Sequence, residues 1–202
     1  MNDSNLLLGL AVIAVVVSVI AAGFTYLSIA SLTTKISGLA IGTANLTVET
    51  QASINFTTAV VNWGSGKVND GQTQAHLSTV GAGSVSNGNW TAATGLILEN
   101  NGNSNVSLNI TVGKNASNFI GGTGSLYFIN VSDNEVGACT NASGFALGLF
   151  YSANTSNTLL NCNSFRFDEA ADAIRIDFNI TIPENSLKGA LGDIITATAT
   201  AL

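Results

Sequence analysis

The stretch LLLGLAVIAVVVSVIAAGFTYLSIASL, residues 6–32, carries no charge, and the charges that bracket it are Asp3 and Lys35. As a helix rising 1.5 Å per residue it is about 40 Å long. A bilayer core is about 30 Å thick and takes about 20 apolar residues. The segment is therefore long enough to cross a membrane. It is too long and too uniform for a secretory signal core of about 7–15 residues, and it lacks a basic flank and a small-x-small cleavage site. Three environments suit it: lipid, a protein core, or an assembly in which the helix occupies first one and then the other. The helix is expected over residues 4–37, ending near Gly38 with Gly42 reinforcing the break.

Small residues recur along it, and Gly9, Ala14, Ser18 and Ala22 are the expected helix-packing positions. Such residues let helix backbones approach where water supplies no driving force between apolar surfaces. The flanks conflict with the rest of the chain. Read by the positive-inside rule, Lys35 places the C-terminal remainder in the cytoplasm, whereas that remainder has an extracellular composition. A basic leader removed before assembly resolves the conflict, and residue 1 is then expected at or near the mature N-terminus.

Beyond the helix the sequence alternates with period two. From 45 to 60, Leu46, Val48, Ala52, Ile54, Phe56 and Val60 fall on even positions, with Asn, Thr, Glu, Gln and Ser on odd ones. NVSLNITV at 105–112 puts Val106, Leu108, Ile110 and Val112 on one face. In 173–182, Ile174, Ile176, Phe178, Ile180 and Ile182 alternate with Arg175, Asp177, Asn179 and Thr181. Further strands are expected at 96–99, 126–131, 145–151, 164–167 and 194–199, with a weak one near 75–80. Gly and Asn clusters punctuate them. About eight strands with such turns suggest an antiparallel, Ig-like sandwich. The expected class is α+β: an apolar helix over 1–38, then an all-β domain over 39–202.

Only 9% of residues are charged, and the net charge is −6. No basic patch exists, which argues against nucleic acid as a partner. The polar surface is built from 24 Asn, 20 Ser and 21 Thr. This composition yields about 5 Asn-x-Ser/Thr sequons by chance. The chain has 11, at Asn2, Asn45, Asn55, Asn89, Asn105, Asn109, Asn115, Asn130, Asn141, Asn154 and Asn179. The last ten are the expected N-glycosylation sites outside the cell, against the alternative that an Asn/Thr-rich surface produces sequons by accident. In the three alternating segments above the sequon asparagines lie on the polar face. Cys139 and Cys162 read as one disulfide in an extracellular domain, or as two buried thiols.

Catalytic constellations are absent, so a non-enzyme is expected. His76 is the single histidine, too little for a metal site or a Ser/His/Asp triad. Gly121-Gly-Thr-Gly lacks the Lys and the helix of a phosphate loop and reads as a turn. Two acidic clusters, Asp133 with Glu135 and Asp168 with Glu169 and Asp172, offer oxygen ligands for calcium but match no EF-hand spacing; they read as solvated loops. Trp63 and Trp90 suit either sugar stacking or ordinary packing. No cofactor is expected beyond N-linked glycans.

The apolar helix at 6–32, its small residues, the Gly38 break and the sequon-dense β-domain together resemble an archaeal type IV pilin-superfamily subunit, the group of adhesive pilins and archaellins. The resemblance is architectural and covers the whole chain. It implies a helix that waits in the membrane, then bundles with its copies in the core of a cell-surface filament, with the β-domains outside. The partners implied are copies of the chain, the membrane before assembly, and an adhesion target. The family's leader ending in Lys/Arg-Gly, the bacterial pilin glutamate and the Gly-Ile-Gly-Thr-like archaellin start are not matched here. The unmatched archaellin start favours a pilus over a rotary archaellum, with a single-pass anchored surface module as the remaining alternative.

Overall fold

The computed structural model describes residues 3–33, 46–155 and 158–202, and the side chains of 3–6 and 29–33 are outside that description. The chain divides into two compact units, Met1–Thr47 and Val48–Leu202. The expected boundary at 38/39, the Gly38 break and Asn45 all lie outside the described residues.

The first unit contains helix α1, Asp3–Thr33. Within it, Leu7–Ser28 is apolar and long enough to cross a membrane, and every side chain from 7 to 28 is exposed. A helix that is apolar all round has its stable home among other apolar surfaces.

The second unit holds strands β1 Ile54–Thr58, β2 Gln74–Ser78, β3 Ser84–Ser86, β4 Leu96–Asn100 and β5 Val106–Val112, then the one-turn helix α2 Ala116–Phe119. Strands β6 Leu126–Asp133, β7 Cys139–Ser143, β8 Phe150–Ser152, β9 Leu160–Phe165, β10 Ala173–Pro183 and β11 Ile195–Ala201 come next. All pairings are antiparallel. A large sheet of 7 strands faces a small sheet of 4, ordered β11-β5-β9-β7. In the large sheet β10 is the hub. It pairs with β6 along one edge and with β4 and then β2 along the other. Leu77, Leu98, Ile129, Ile174, Ile176 and Phe178 of the large sheet share one core with Val106, Leu108, Ile110, Leu160 and Phe165 of the small one. This is the expected α+β architecture of apolar helix and β-sandwich.

The alternation places β5 as expected: Val106, Leu108, Ile110 and Val112 are buried and Asn109 is exposed. Three expectations need correction. The single strand over 45–60 reduces to β1, because only that part finds β4 as a partner, and residues 46–50 are outside any strand. The strand expected over 145–151 reduces to its end, where β8 pairs β6. The strand at 164–167 instead runs earlier, as β9 between β5 and β7. In addition, Asp177 and Thr181, expected to face solvent from β10, are 4% and 5% exposed. A central strand is covered on both edges, so its outer face gains neighbours that period two does not foresee.

Asp177 is held by a local network. Arg175 Nε donates to both carboxylate oxygens at 3.0 and 2.9 Å. Thr79 Oγ1 donates to Oδ1 at 2.8 Å and accepts from the Phe178 amide. Arg175 Nη2 donates to the carbonyls of Thr79 and Gly81. A buried charge is tolerated when paired and hydrogen-bonded in this way. Asn100, fully buried at the end of β4, ties the sheets together by donating to the Phe165 carbonyl of β9 at 3.1 Å.

Candidate functional sites: a small-residue helix face, glycan acceptors and a sandwich groove

Successive residues of a helix turn by about 100°. Ala14, Ser18 and Ala22 therefore share one face of α1, while Gly9 lies about 140° around from Ala14. The expected packing set is corrected accordingly: Gly9 is off the stripe. In its place stands a heptad that the sequence reading missed, Ala11, Ala14, Ser18, Ala21, Thr25 and Ser28. Spacings of three and four carried through the segment would have revealed it. Leu8, Val12, Val16, Val19, Ile20 and Leu27 occupy the rest of the circumference.

The hydroxyls on that stripe are satisfied within the helix. Ser18 Oγ donates to the Ala14 carbonyl at 2.6 Å, Thr25 Oγ1 to Ala21 at 2.8 Å and Ser28 Oγ to Phe24 at 2.8 Å. Such back-bonding removes the cost of placing a hydroxyl against an apolar surface. The stripe is thus narrow, small and free of unmet polar demand.

Nine of the ten expected glycan acceptors fall within the described residues. Asn55, Asn89, Asn109, Asn141, Asn154 and Asn179 are exposed, and Asn105, Asn115 and Asn130 are half-buried. Asn105 Nδ2 donates to Ser164 Oγ. Asn115 caps α2, accepting from the Asn118 amide at 3.0 Å. Asn130 lies on β6 between β10 and β8, with its Oδ1 buried and without a hydrogen-bond partner among the described residues. Asn141 adopts φ 62° within β7. Cys139 and Cys162 form the disulfide, joining β7 to β9.

A groove of 1220 Å³ opens beside the core. Its floor is the inner face of the large sheet, including Leu77, Leu96 and Phe178, and its walls include Trp63, Leu187 and Ile195. Trp63 meets Phe178 edge-on at 6.5 Å, and its buried Nε1 has no acceptor among the described residues. Trp90 packs where a Cβ on Gly66 or Gly88 would stand 2.4 or 2.7 Å from its ring. Both tryptophans therefore serve packing. At one end of the groove Tyr127 donates from its hydroxyl to Asp193 Oδ2 at 3.2 Å. Burial, and then the nearby Asp193 charge, holds the Tyr127 phenol far above its ordinary range. Burial also holds the Asp193 carboxyl above the usual carboxylate range, against the Ile194 amide and Lys114.

His76 is half-buried on β2, with Nδ1 3.0 Å from Thr181 Oγ1 and Nε2 3.3 Å from Gln74 Nε2. The two acidic clusters meet, since the Asp172 amide donates to Glu135 Oε2 at 2.9 Å. Desolvation, then Glu135, Glu99 and Glu169, raises the Asp172 carboxyl above its ordinary value. Asp133 instead accepts from the Gly137 and Cys139 amides. Among the described residues no group of three His, Cys, Asp or Glu is arranged to hold a metal ion. No family model, curated protein or solved structure matches the chain.

Proposed function

We propose that the chain is a structural subunit of an extracellular helical filament of the type IV pilus kind, with α1 helices bundled in the filament core and sandwiches outside. The observation that carries this reading is the heptad of small residues on α1, whose hydroxyls are satisfied internally. A lipid-facing anchor gains nothing from a narrow small-residue face. A helix that packs on copies of itself gains close backbone approach. Burying about 20 exposed apolar side chains at about 1.5–3 kcal/mol each makes such a bundle very hard to dissolve. A disulfide between neighbouring strands and exposed sequons fit a sandwich outside the cell.

The test is electron microscopy of cell surfaces labelled with an antibody to the sandwich. Decorated filaments that persist after detergent extraction are expected. Label spread over the membrane, with the chain released as a monomer by detergent, overturns the reading in favour of a single-pass surface module. Deleting the gene and scoring attachment against swimming separates an adhesive pilus, the expected outcome, from a rotary archaellum.

A further inference from the structure

Strand β11, Ile195–Ala201, ends the small sheet. It pairs with β5 along all seven residues without a bulge, and its other edge pairs with no strand among the described residues. Proteins normally blunt such an edge with charge, proline, a bulge or a very short strand. This one, ITATATA, has none of these. Its inward residues Ile195, Ala197 and Ala199 pack on the core yet stay half-buried, as expected where no strand lies beyond. Ile195 also lines the groove whose floor is the inner face of the large sheet. A fifth strand added at β11 would extend the small sheet toward that face.

The chain also carries a strand with a free edge. Residues 46–52 alternate like a strand but belong to none, and Leu46 and Val48 are 87% and 75% exposed. The segment is nonetheless held extended along one edge by Asn103. The Gln51 amide donates to Asn103 Oδ1 at 2.6 Å, the Asn103 amide to the Gln51 carbonyl at 3.1 Å and Asn103 Nδ2 to the Glu49 carbonyl at 2.8 Å. In an extended chain the backbone groups of alternate residues point to opposite edges. Glu49 and Gln51 thus serve Asn103, and the groups of Val48, Thr50 and Ala52 face the other way, with no bond to them among the described residues.

We propose that residues 46–52 of one copy add as a strand to the free edge of β11 in a second copy, with Val48 and its even-numbered neighbours facing the core side. The segment matches β11 in length, it brings one charge, Glu49, to an uncharged edge, and backbone pairing gives affinity while alternate side chains give register. The inference rests on the reading of the chain as a polymerising subunit and gives that polymer a second contact besides the helix bundle.

The test uses the full-length chain, whose two native cysteines are already paired. Val48→Cys is combined with Ala197→Cys or Ala199→Cys, and separately with Thr198→Cys, which faces away. Mild oxidation is followed by gel electrophoresis, with electron microscopy on the same samples. A ladder of covalent multimers is expected with the inward positions and its loss with Thr198→Cys. Adding Thr50→Pro removes an amide from the free edge and spares the Asn103 bonds, so it abolishes the ladder while the sandwich unfolds as before. Filaments without a ladder, or crosslinks confined within monomers, overturn the strand and leave the filament standing. A ladder without filaments keeps the strand and overturns the filament. Absence of both overturns both.

Discussion

Helix α1 and strand β10 are both rich in large apolar residues, and they end in opposite conditions. In β10, Ile174 and Ile176 have no solvent exposure. In α1, Ile13 and Val15 are 60% and 62% exposed. The strand is completed within its own chain, because three neighbours hydrogen-bond its edges and a second sheet covers its inner face. Nothing in the described residues completes the helix. The sandwich is thus a finished folding unit, whereas the apolar surface of the helix stays uncovered among the described residues.

This contrast can be broken most forcefully in the helix. Ser18→Leu fills the narrow stripe and is expected to abolish filament assembly while the unfolding transition of the sandwich stays in place. Val16→Leu, on the bulky side, leaves assembly intact. Equal assembly of the two variants, counted by electron microscopy, would mean that the stripe plays no part in helix packing.

On the strand side the effects appear in stability rather than assembly. Ile176→Ala leaves a cavity at the hub of the large sheet and is expected to cost about 2–5 kcal/mol in denaturant unfolding. Replacing both Cys139 and Cys162 by Ala opens a loop with a sequence separation of 23 and costs about 3 kcal/mol on the chain-entropy model. Asn100→Ala strands the Phe165 carbonyl between the sheets and costs about 1–3 kcal/mol.

The smallest effect is seen only in alkali. A phenol whose folded pKa is raised contributes stability below its unfolded pKa, near 10, and that contribution is lost as pH rises toward the folded value. The sandwich is expected to lose stability above about pH 10, and Tyr127→Phe should flatten that loss. An unchanged alkaline slope in Tyr127→Phe would assign the loss to other groups.

The legible parts of the fold are those that local patterning controls. The charge-free run marks the helix, and period two marks β5 and β10 because their inner faces are buried throughout. The short edge strands β3 and β7 carry no such mark. Ser84-Val-Ser86 has one apolar residue, and only Cys139 of β7 is buried, so neither offers a period to count. The segment 46–52 shows the reverse failure: it has the pattern of a strand but no partner strand among the described residues. Burial of Asp177 depends on Thr79, which follows β2 and reaches its carboxylate from 98 residues away, a contact that no local window contains. The sequons can be counted from sequence alone. That Asn130 sits half-buried between two strands while Asn179 is exposed depends on which strand pairs with which, and peptide mass spectrometry should find glycan on Asn179 and not on Asn130.

If the lasting environment of α1 is other copies of α1, a high-resolution reconstruction of filaments sheared from the cell surface will show it. The expected map has the Leu7–Ser28 helices in a central bundle, with the Ala11, Ala14, Ser18 and Ala21 face at the closest approach between neighbours and the sandwiches on the outside. Filaments built without this helix, or a chain found only as single helices in lipid, would contradict it.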